Sequence, residues 1–188
     1  MKIDYTKPLS ERFIRKNQNK IDWFNISFSQ KLSEEFIREF HNKVDWKLIS
    51  INQILSENFI REFQDEVDWY WISYYQKLSE KFIREFQNKV YWQNIFVYQN
   101  LSEEFIREFK NKVDWDCIYY FQNLSKDFIR EFKDKVNWIN LLSLYGYDCK
   151  LNTNNNYQIQ YDNYKSDYLE FNEFVNLALR LISLKAFQ

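Results

Sequence analysis

The dipeptide Leu-Ser recurs every 23 residues without insertion or deletion, starting at residues 9, 32, 55, 78, 101 and 124. A Trp follows each copy in the same register, at residues 23, 46, 69, 92, 115 and 138. A fixed period of this length is typical of stacked repeats, in which each unit packs against the next. Six repeats of 23 positions, counted from the Leu, therefore span residues 9–146.

Two short amphipathic helices are predicted in each repeat. Apolar residues at positions 5, 6, 9 and 13 share one helical stripe behind Ser at position 2, a favoured N-cap, so helix A is expected over positions 3–13. Asp or Asn at position 14 is a second N-cap signal in five repeats, and helix B is expected from the Trp at position 15 to about position 22. Helices this short are unstable alone, so each unit must bury its stripe against the next.

The predicted fold is all-α: an α-solenoid of six 23-residue helix-turn-helix repeats with a C-terminal capping helix. One Gly and one Pro in 188 residues leave few of the turns that a sheet protein needs. Residues 1–8 form an N-terminal lead-in, and the Asn- and Tyr-rich residues 147–165 fit either a linker or a small hairpin. Residues 166–188 are expected to form the helix that covers the last repeat, or else to mediate dimerisation.

Two polar columns recur along the repeats: Arg at position 7 in all six and Gln at position 22 in five. We interpret the Arg column as structural rather than as a row of cations for phosphate or carboxylate ligands. Each Arg can pair with the Glu one turn earlier, as Glu34 precedes Arg38, or with the N-cap acid of a neighbouring unit. The Gln amides lie on the core side of helix B and are expected to bond to loop backbone as a ladder, because buried amides need partners. The Trp column is interpreted as core.

Binding residues of a repeat array are expected at the positions that vary between repeats. Positions 17, 20 and 21 of helix B lie together, away from the Trp, and are largely aromatic in the middle repeats. With their neighbours they give the candidate partner-binding residues Tyr70, Trp71, Tyr74, Tyr75, Tyr98, Tyr119, Tyr120 and Phe121. Aromatic side chains with polar tips are enriched at protein interfaces, and an exposed apolar patch favours a partner. The alternative is that these residues pack under the neighbouring helix.

No catalytic residue, cofactor or metal site is predicted. One Gly cannot form a Gly-rich phosphate loop, and Cys117 and Cys149 have no Cys or His partner at zinc spacing. His41, the only histidine, stands at a variable position that is expected to be solvated. The net charge is −1, and no apolar run approaches the roughly eighteen residues that a membrane span needs. The chain is therefore expected to be non-enzymatic, soluble and intracellular.

The segments "LSEEFIREF", "NKVDW" and "ISYYQKLSE" carry a resemblance that covers residues 9–138. They resemble the short tandem repeats of uncharacterised proteins from giant, mimivirus-like DNA viruses. The resemblance implies a viral repeat protein made in a host cell, in the host cytoplasm, and it carries over no catalytic residue.

Three functions are compatible with these observations. The favoured one is a scaffold that binds a host or viral protein through the variable aromatic face. The second is a homotypic structural protein whose copies stack end to end. The third is a single-stranded nucleic-acid binder that stacks bases on its aromatic residues, and the near-zero net charge argues against it.

Overall fold

The computed structural model describes residues 3–144, 148–151, 157–161, 164–165, 175–176 and 178–179. Within residues 3–144 the chain forms twelve α-helices, two in each repeat, and one 3₁₀ turn at Lys133–Lys135. The chain divides into two compact units, Met1–Gln99 and Asn100–Gln188. The helices of repeats 1–4 belong to the first unit, and those of repeats 5 and 6 belong to the second. The array is a helical repeat solenoid, as predicted.

Helix A is the first helix of each repeat and helix B is the second. The A helices are α1 Glu11–Lys16, α3 Glu34–Glu39, α5 Glu57–Glu62, α7 Glu80–Glu85, α9 Glu103–Glu108 and α11 Lys126–Glu131. The B helices are α2 Trp23–Ser29, α4 Trp46–Asn52, α6 Trp69–Tyr75, α8 Trp92–Tyr98, α10 Trp115–Phe121 and α12 Trp138–Leu144. Successive B helices pack side by side, α2 on α4, α4 on α6 and α6 on α8 in the first unit, and α10 on α12 in the second.

Both predicted N-cap columns are confirmed. Ser at position 2 caps helix A in all six repeats, with its hydroxyl accepting the N–H of the Phe at position 5. The carboxylate at position 14 accepts N–H groups of the first turn of helix B at Asp22, Asp45, Asp68 and Asp114. The same donors would otherwise be left unpaired at the helix start.

Helix A covers six residues, positions 3–8, and the prediction of about eleven is wrong. The chain turns at position 9 instead. In repeat 2 the carbonyl of Phe40 accepts the N–H groups of Lys43 and Val44, at 2.8 and 3.2 Å. The indole Nε1 of Trp46 donates to the next carbonyl, that of His41, at 2.9 Å. Asn or Asp at position 11 of every repeat is the turn signal that favours this ending.

The core lies between the A and B helices of successive repeats. The predicted stripe is buried in repeat 2, at Phe36, Ile37, Phe40 and Val44. The Trp column packs between repeats: the ring centroid of Trp46 lies 4.9 Å from that of Phe63 and 6.2 Å from that of Phe59 in the next repeat. Five of the six Trp side chains are half-buried and Trp138 is buried, so the column is core with one edge at the surface.

The Gln column forms the predicted ladder. In repeat 3, Oε1 of Gln76 accepts the N–H of Leu55 at 3.0 Å, and Nε2 donates to the carbonyls of Gln53 and Ser50 at 2.8 and 3.1 Å. Gln53 bonds in the same way one repeat earlier. Each buried amide therefore joins two repeats, and the prediction is confirmed.

Arg at position 7 pairs with at least two acids in repeats 1, 2, 3 and 5, one on its own helix and one in the next repeat. Nε of Arg38 lies 2.7 Å from Oε2 of Glu62 in the next repeat, and Glu34, one turn earlier, is 3.7 Å away. The guanidinium carbon also lies 5.1 Å from the ring centroid of Phe59. The predicted pairing with the preceding Glu is confirmed. The alternative partner is wrong within the described residues, since Asp45 accepts a backbone N–H of its own helix.

Two further bonds between repeats were not among the predictions. The Oγ of Ser50, at position 19, accepts the N–H of Asp68 in the next repeat at 3.0 Å. The carboxylate of Glu34, at position 3, accepts the N–H of Ser56, the next N-cap, at 2.6 Å. Ser recurs at position 19 in repeats 1–3 and Glu at position 3 in five repeats, and that recurrence is the signal that points to both.

The lead-in supplies the first repeat with the partners that a preceding repeat gives to the others. The hydroxyl of Tyr5 accepts the N–H of Asp22 at 2.7 Å, and its carbonyl accepts Nε2 of Gln30 at 2.8 Å. One repeat later these two roles belong to the hydroxyl of Ser27 and the carbonyl of Gln30. Tyr5 therefore takes the place of two residues.

The second unit continues beyond the helices into a small antiparallel sheet. Strand β1, Asp148–Leu151, pairs with β2, Tyr157–Tyr161, and β2 pairs with β3, Tyr164–Lys165. Cys149 stands opposite Ile159, and α12 packs against β1. The pairing is that of the hairpin alternative for residues 147–165. Of the expected capping helix, residues 175–176 and 178–179 are helical, with Val175, Ala178 and Leu179 buried; the rest lies outside the described residues.

Candidate functional site

Helix α6 carries four aromatic side chains that contact one another. The rings of Trp71 and Tyr75 stack, with centroids 5.6 Å apart and an interplanar angle of 22°. Tyr74 lies 5.9 Å from Trp71 and 4.5 Å from Tyr75, and Tyr70 meets Trp71 edge-on at 4.8 Å. Offset and edge-on arrangements of this kind are favourable, so the four rings support one another on the helix.

The next repeat extends this group by two tyrosines. Tyr98, on α8, lies 4.0 Å from Tyr74, and Tyr91, just before α8, meets Tyr70 edge-on at 5.3 Å. The neighbouring Tyr74 hydroxyl, by hydrogen bonding, raises the pKa of the Tyr98 phenol. We call the six residues Tyr70, Trp71, Tyr74, Tyr75, Tyr91 and Tyr98 the aromatic cluster. Five of these six are among the eight candidates from the sequence; Tyr91 was missed.

The aromatic cluster is a surface. The side chains of Tyr70, Tyr75, Tyr91 and Tyr98 are 40, 51, 52 and 48% exposed, and Trp71 and Tyr74 are half-buried. The alternative that these residues pack under a neighbouring helix is therefore wrong for Tyr70, Tyr75 and Tyr98. The exposed part of these four side chains is left for contact with another molecule.

Tyr91 occupies a position that serves helix stability in the other repeats. Position 14 is Asp in four repeats and Asn in one, and it caps helix B. Tyr91 is the N-cap residue of α8 but forms no side-chain cap, and its ring joins the aromatic cluster instead. A missing cap costs about 0.5–2 kcal/mol, so this exception exchanges helix stability for exposed aromatic surface. The break in the position 14 column is the sequence signal for it.

The second unit holds the other three candidates. Tyr120 and Phe121 are 49 and 55% exposed, with centroids 6.2 Å apart. Tyr119 is buried, and its hydroxyl donates to the carbonyl of Phe132 at 3.4 Å. Burial raises the pKa of the Tyr119 phenol. Tyr119 stands at position 19, the core position of Ser27 in repeat 1, so its inclusion in an exposed face is wrong.

Repeats 1 and 2 expose apolar residues that the sequence analysis did not select. Phe24 and Phe28 are 58 and 57% exposed and their rings stack at 6.4 Å with an interplanar angle of 9°. Ile54 is 92% exposed at the end of repeat 2. Phe28 stands at position 20, as Tyr74 does. The expectation that exposed aromatic residues lie at variable positions of helix B therefore applies to the first repeat as well.

The remaining residues that could react or bind a metal do not lie together. His41 is exposed, with its ring 6.1 Å from that of Phe63. Cys117 is a half-buried free thiol whose pKa is raised by desolvation. In the part of the chain that the structure describes, no group of three or more His, Cys, Asp or Glu side chains could hold a metal ion. Likewise, none of the described helices is long and apolar enough to cross a membrane.

No protein-family model matches the chain, and no curated protein or solved structure matches it.

Proposed function

We propose that this chain is a non-enzymatic repeat scaffold that binds a protein partner through the aromatic cluster. The observation that carries the proposal is the contiguity of six aromatic rings, four of them at least 40% exposed and five of them on positions that vary between repeats. Tyr and Trp are the residues that most often anchor protein interfaces, because they combine large apolar area with a polar tip. An exposed apolar patch of this kind on a folded protein favours a partner.

The different roles of recurring and variable positions support the same function. Arg, Gln, Glu and Ser at recurring positions are engaged in bonds between repeats. The side chains of the aromatic cluster stand at other positions; of Tyr91 only the backbone N–H joins the set, through Ser73, while its ring displaces a helix cap. A sequence that departs from its own stabilising pattern does so most often at functional positions.

Self-assembly by end-to-end stacking is the second candidate, and the end repeats disfavour it. Lys16 replaces the Glu at position 8 of repeat 1, and Lys126 replaces the Glu at position 3 of repeat 6. Stacking repeat 6 on repeat 1 in the geometry of the array would set Arg130 against Lys16 and Lys126 against the N–H of Ser10. Both contacts are unfavourable, so we expect a sedimentation coefficient that does not rise with protein concentration; a rise would favour self-assembly.

A nucleic-acid ligand is less favoured by the arrangement of the rings. Trp71 stacks on Tyr75, and Tyr74 lies against Tyr98, so ring faces that could accept bases are already covered by one another. Base stacking on open aromatic faces and phosphate neutralisation carry most single-strand binding. The net charge of −1 provides little of the second.

The setting of this function is part of the proposal. The resemblance to repeat proteins of mimivirus-like viruses favours a viral protein in the host cytoplasm, with a host or viral protein as partner. Two cysteines without a disulfide framework suit a reducing, intracellular compartment.

The experiment is affinity capture from a lysate of the cells that make the protein, with and without nuclease. The test variant is W71S/Y74S/Y75S, and the matched control is R12S/K81S/K110S, three exposed residues of the A helices and their turns. We expect a nuclease-resistant protein that wild type and control retain and the test variant loses, while circular dichroism stays unchanged.

Two results would contradict the proposal. Equal retention by the test variant would place the partner elsewhere. A collapse of helical signal in the test variant would make the aromatic cluster a folding element; the single changes Tyr75→Ser and Tyr98→Ser, at half-exposed positions, then decide whether binding can be lost without unfolding.

A further inference from the structure

Charge is segregated along the first unit. The B-helix segments 24–31, 47–54, 70–77 and 93–100 contain no Asp or Glu, and every acidic residue of residues 1–99 lies outside them. The same four segments carry three cations, Lys31, Lys47 and Lys77. The face formed by these side-by-side helices is therefore positive, although the whole chain has a net charge of −1.

The acids around these lysines have other partners. Glu34 and Glu80, three residues after Lys31 and Lys77, lie 3.7 and 3.5 Å from Arg38 and Arg84. Asp22, Asp45 and Asp68 border the face at the starts of the helices, but each carboxylate accepts backbone N–H groups of its helix. A carboxylate held by the positive end of a helix has its charge partly compensated. In repeat 4 the acid is absent altogether, because Tyr91 replaces it.

The three lysines are free to meet a partner. Lys31, Lys47 and Lys77 are exposed, and none forms an ion pair with another described residue. Lys43 and Lys89, on the A-helix side, behave differently: their ammonium groups lie 5.7 and 5.8 Å from Trp ring centroids, and Lys89 pairs with Asp65 at 2.8 Å. Lys77 follows Gln76, the C-cap of α6, and α6 carries most of the aromatic cluster.

We infer that the partner segment is an acidic peptide with aromatic or aliphatic anchor residues, which rests on the proposed function. Its apolar side chains contact the exposed ring edges of Tyr75 and Tyr98, and its carboxylates lie near Lys31, Lys47 and Lys77. Complementary charge of this kind steers association and selects among partners. A basic peptide would meet three like charges with no acid to offset them, and it would be rejected.

The test is selection of short random peptides, displayed as a library, on the full chain. We expect enriched peptides with net negative charge and aromatic or aliphatic residues, and binding that weakens about tenfold or more in K31E/K47E/K77E and at high salt. The control K16E/K20E/K81E makes the same charge change at exposed lysines of the A-helix side and should bind as wild type does. Selection on K31E/K47E/K77E should yield basic or neutral peptides instead.

The outcomes separate the two proposals. Enriched peptides that need Trp71, Tyr74 and Tyr75 but are neutral or basic overturn the acidic partner and leave the proposed function in place. No enrichment, or peptides that bind W71S/Y74S/Y75S as well as wild type, overturns both. Tighter binding of single-stranded oligodeoxythymidine at the same face would make nucleic acid the occupant and would also overturn both.

Discussion

Gln76 illustrates how a single side chain holds two repeats together. Its amide is 5% exposed and bonds to three backbone groups, one N–H and two carbonyls. Water cannot replace those bonds without opening the joint between repeats 2 and 3. The Gln of repeats 2, 3 and 4 bonds back to the preceding repeat in this way, and that of repeat 1 bonds to the lead-in, which explains the regularity of the column better than any ligand does.

The change Gln76→Leu keeps the volume of the side chain and removes these bonds. One N–H and two carbonyls lose a buried partner, at about 1–3 kcal/mol for each group left unsatisfied. We expect the free energy of unfolding, measured by urea denaturation, to fall by about 3 kcal/mol or more. Lys77→Ala, one residue further on and exposed, is the control and should stay within about 0.5 kcal/mol of wild type. Equal values for the two variants would show that the ladder does not stabilise the array.

Tyr119 gives a prediction for alkaline pH. Burial raises the pKa of its phenol, so the folded protein keeps a proton that the unfolded chain loses above about pH 10. The free energy of unfolding should therefore be unaffected by this group below pH 10 and fall as the pH rises beyond it.

Tyr119→Phe removes this titration and leaves the other tyrosines in place. The free energy of unfolding, measured between pH 9 and 11, should fall more steeply for wild type than for the variant, by about 1.4 kcal/mol for each pH unit above 10. At pH 8 the variant should lose less than about 1 kcal/mol, because the bond to Phe132 is long, at 3.4 Å. Parallel pH profiles would mean that Tyr119 is solvated in the folded protein.

At the scale of elements, a residue type that recurs at a fixed repeat position predicts a contact that is formed again in each repeat. Both N-cap columns, the buried stripe, the Gln ladder and the Arg–Glu pairs follow from residue types at fixed positions, because one packing arrangement repeats. The length of helix A does not follow as easily, since positions 9–13 keep a helical pattern while Asn or Asp at position 11 favours a turn. The Trp indole decides the competition by binding the carbonyl at position 10.

The candidate site was less accessible to sequence reasoning. Periodicity separates constant positions from variable ones, and that gave Tyr70, Trp71, Tyr74, Tyr75 and Tyr98. Periodicity does not tell which variable positions are exposed, so Tyr119 was included although position 19 faces the core. It also hides Tyr91, because a cap position is taken as structural until its neighbours in space are known.

The lead-in is the element that completes the first repeat. Tyr5→Phe removes the hydroxyl that accepts the N–H of Asp22 and leaves the carbonyl bonds to Gln30 and Ser29. We expect the amide of Asp22 to exchange with solvent measurably faster by NMR, since it loses the hydroxyl that accepts its N–H. The amide of Asp45, bound by Ser27 in the next repeat, is the internal control and should not change. Unchanged exchange at Asp22 would rule out a capping role for Tyr5.

At the scale of the whole molecule, stability and binding are assigned to different positions of the same repeat. Constant residues join successive repeats, and variable residues of helix B form the surface that meets a partner. Tyr91 is where the two requirements conflict, because one position cannot carry both a helix cap and an aromatic ring.

Tyr91→Asp is therefore the most direct single measurement. Restoring the acid of the other repeats should cap α8 and raise the free energy of unfolding by about 1 kcal/mol. The same change removes an exposed ring and adds a negative charge, so retention of the captured partner, or of a selected peptide, should fall. Higher stability with weaker binding is the expected result. Lower stability, or higher stability with binding unchanged, would contradict a partner-binding role for the aromatic cluster.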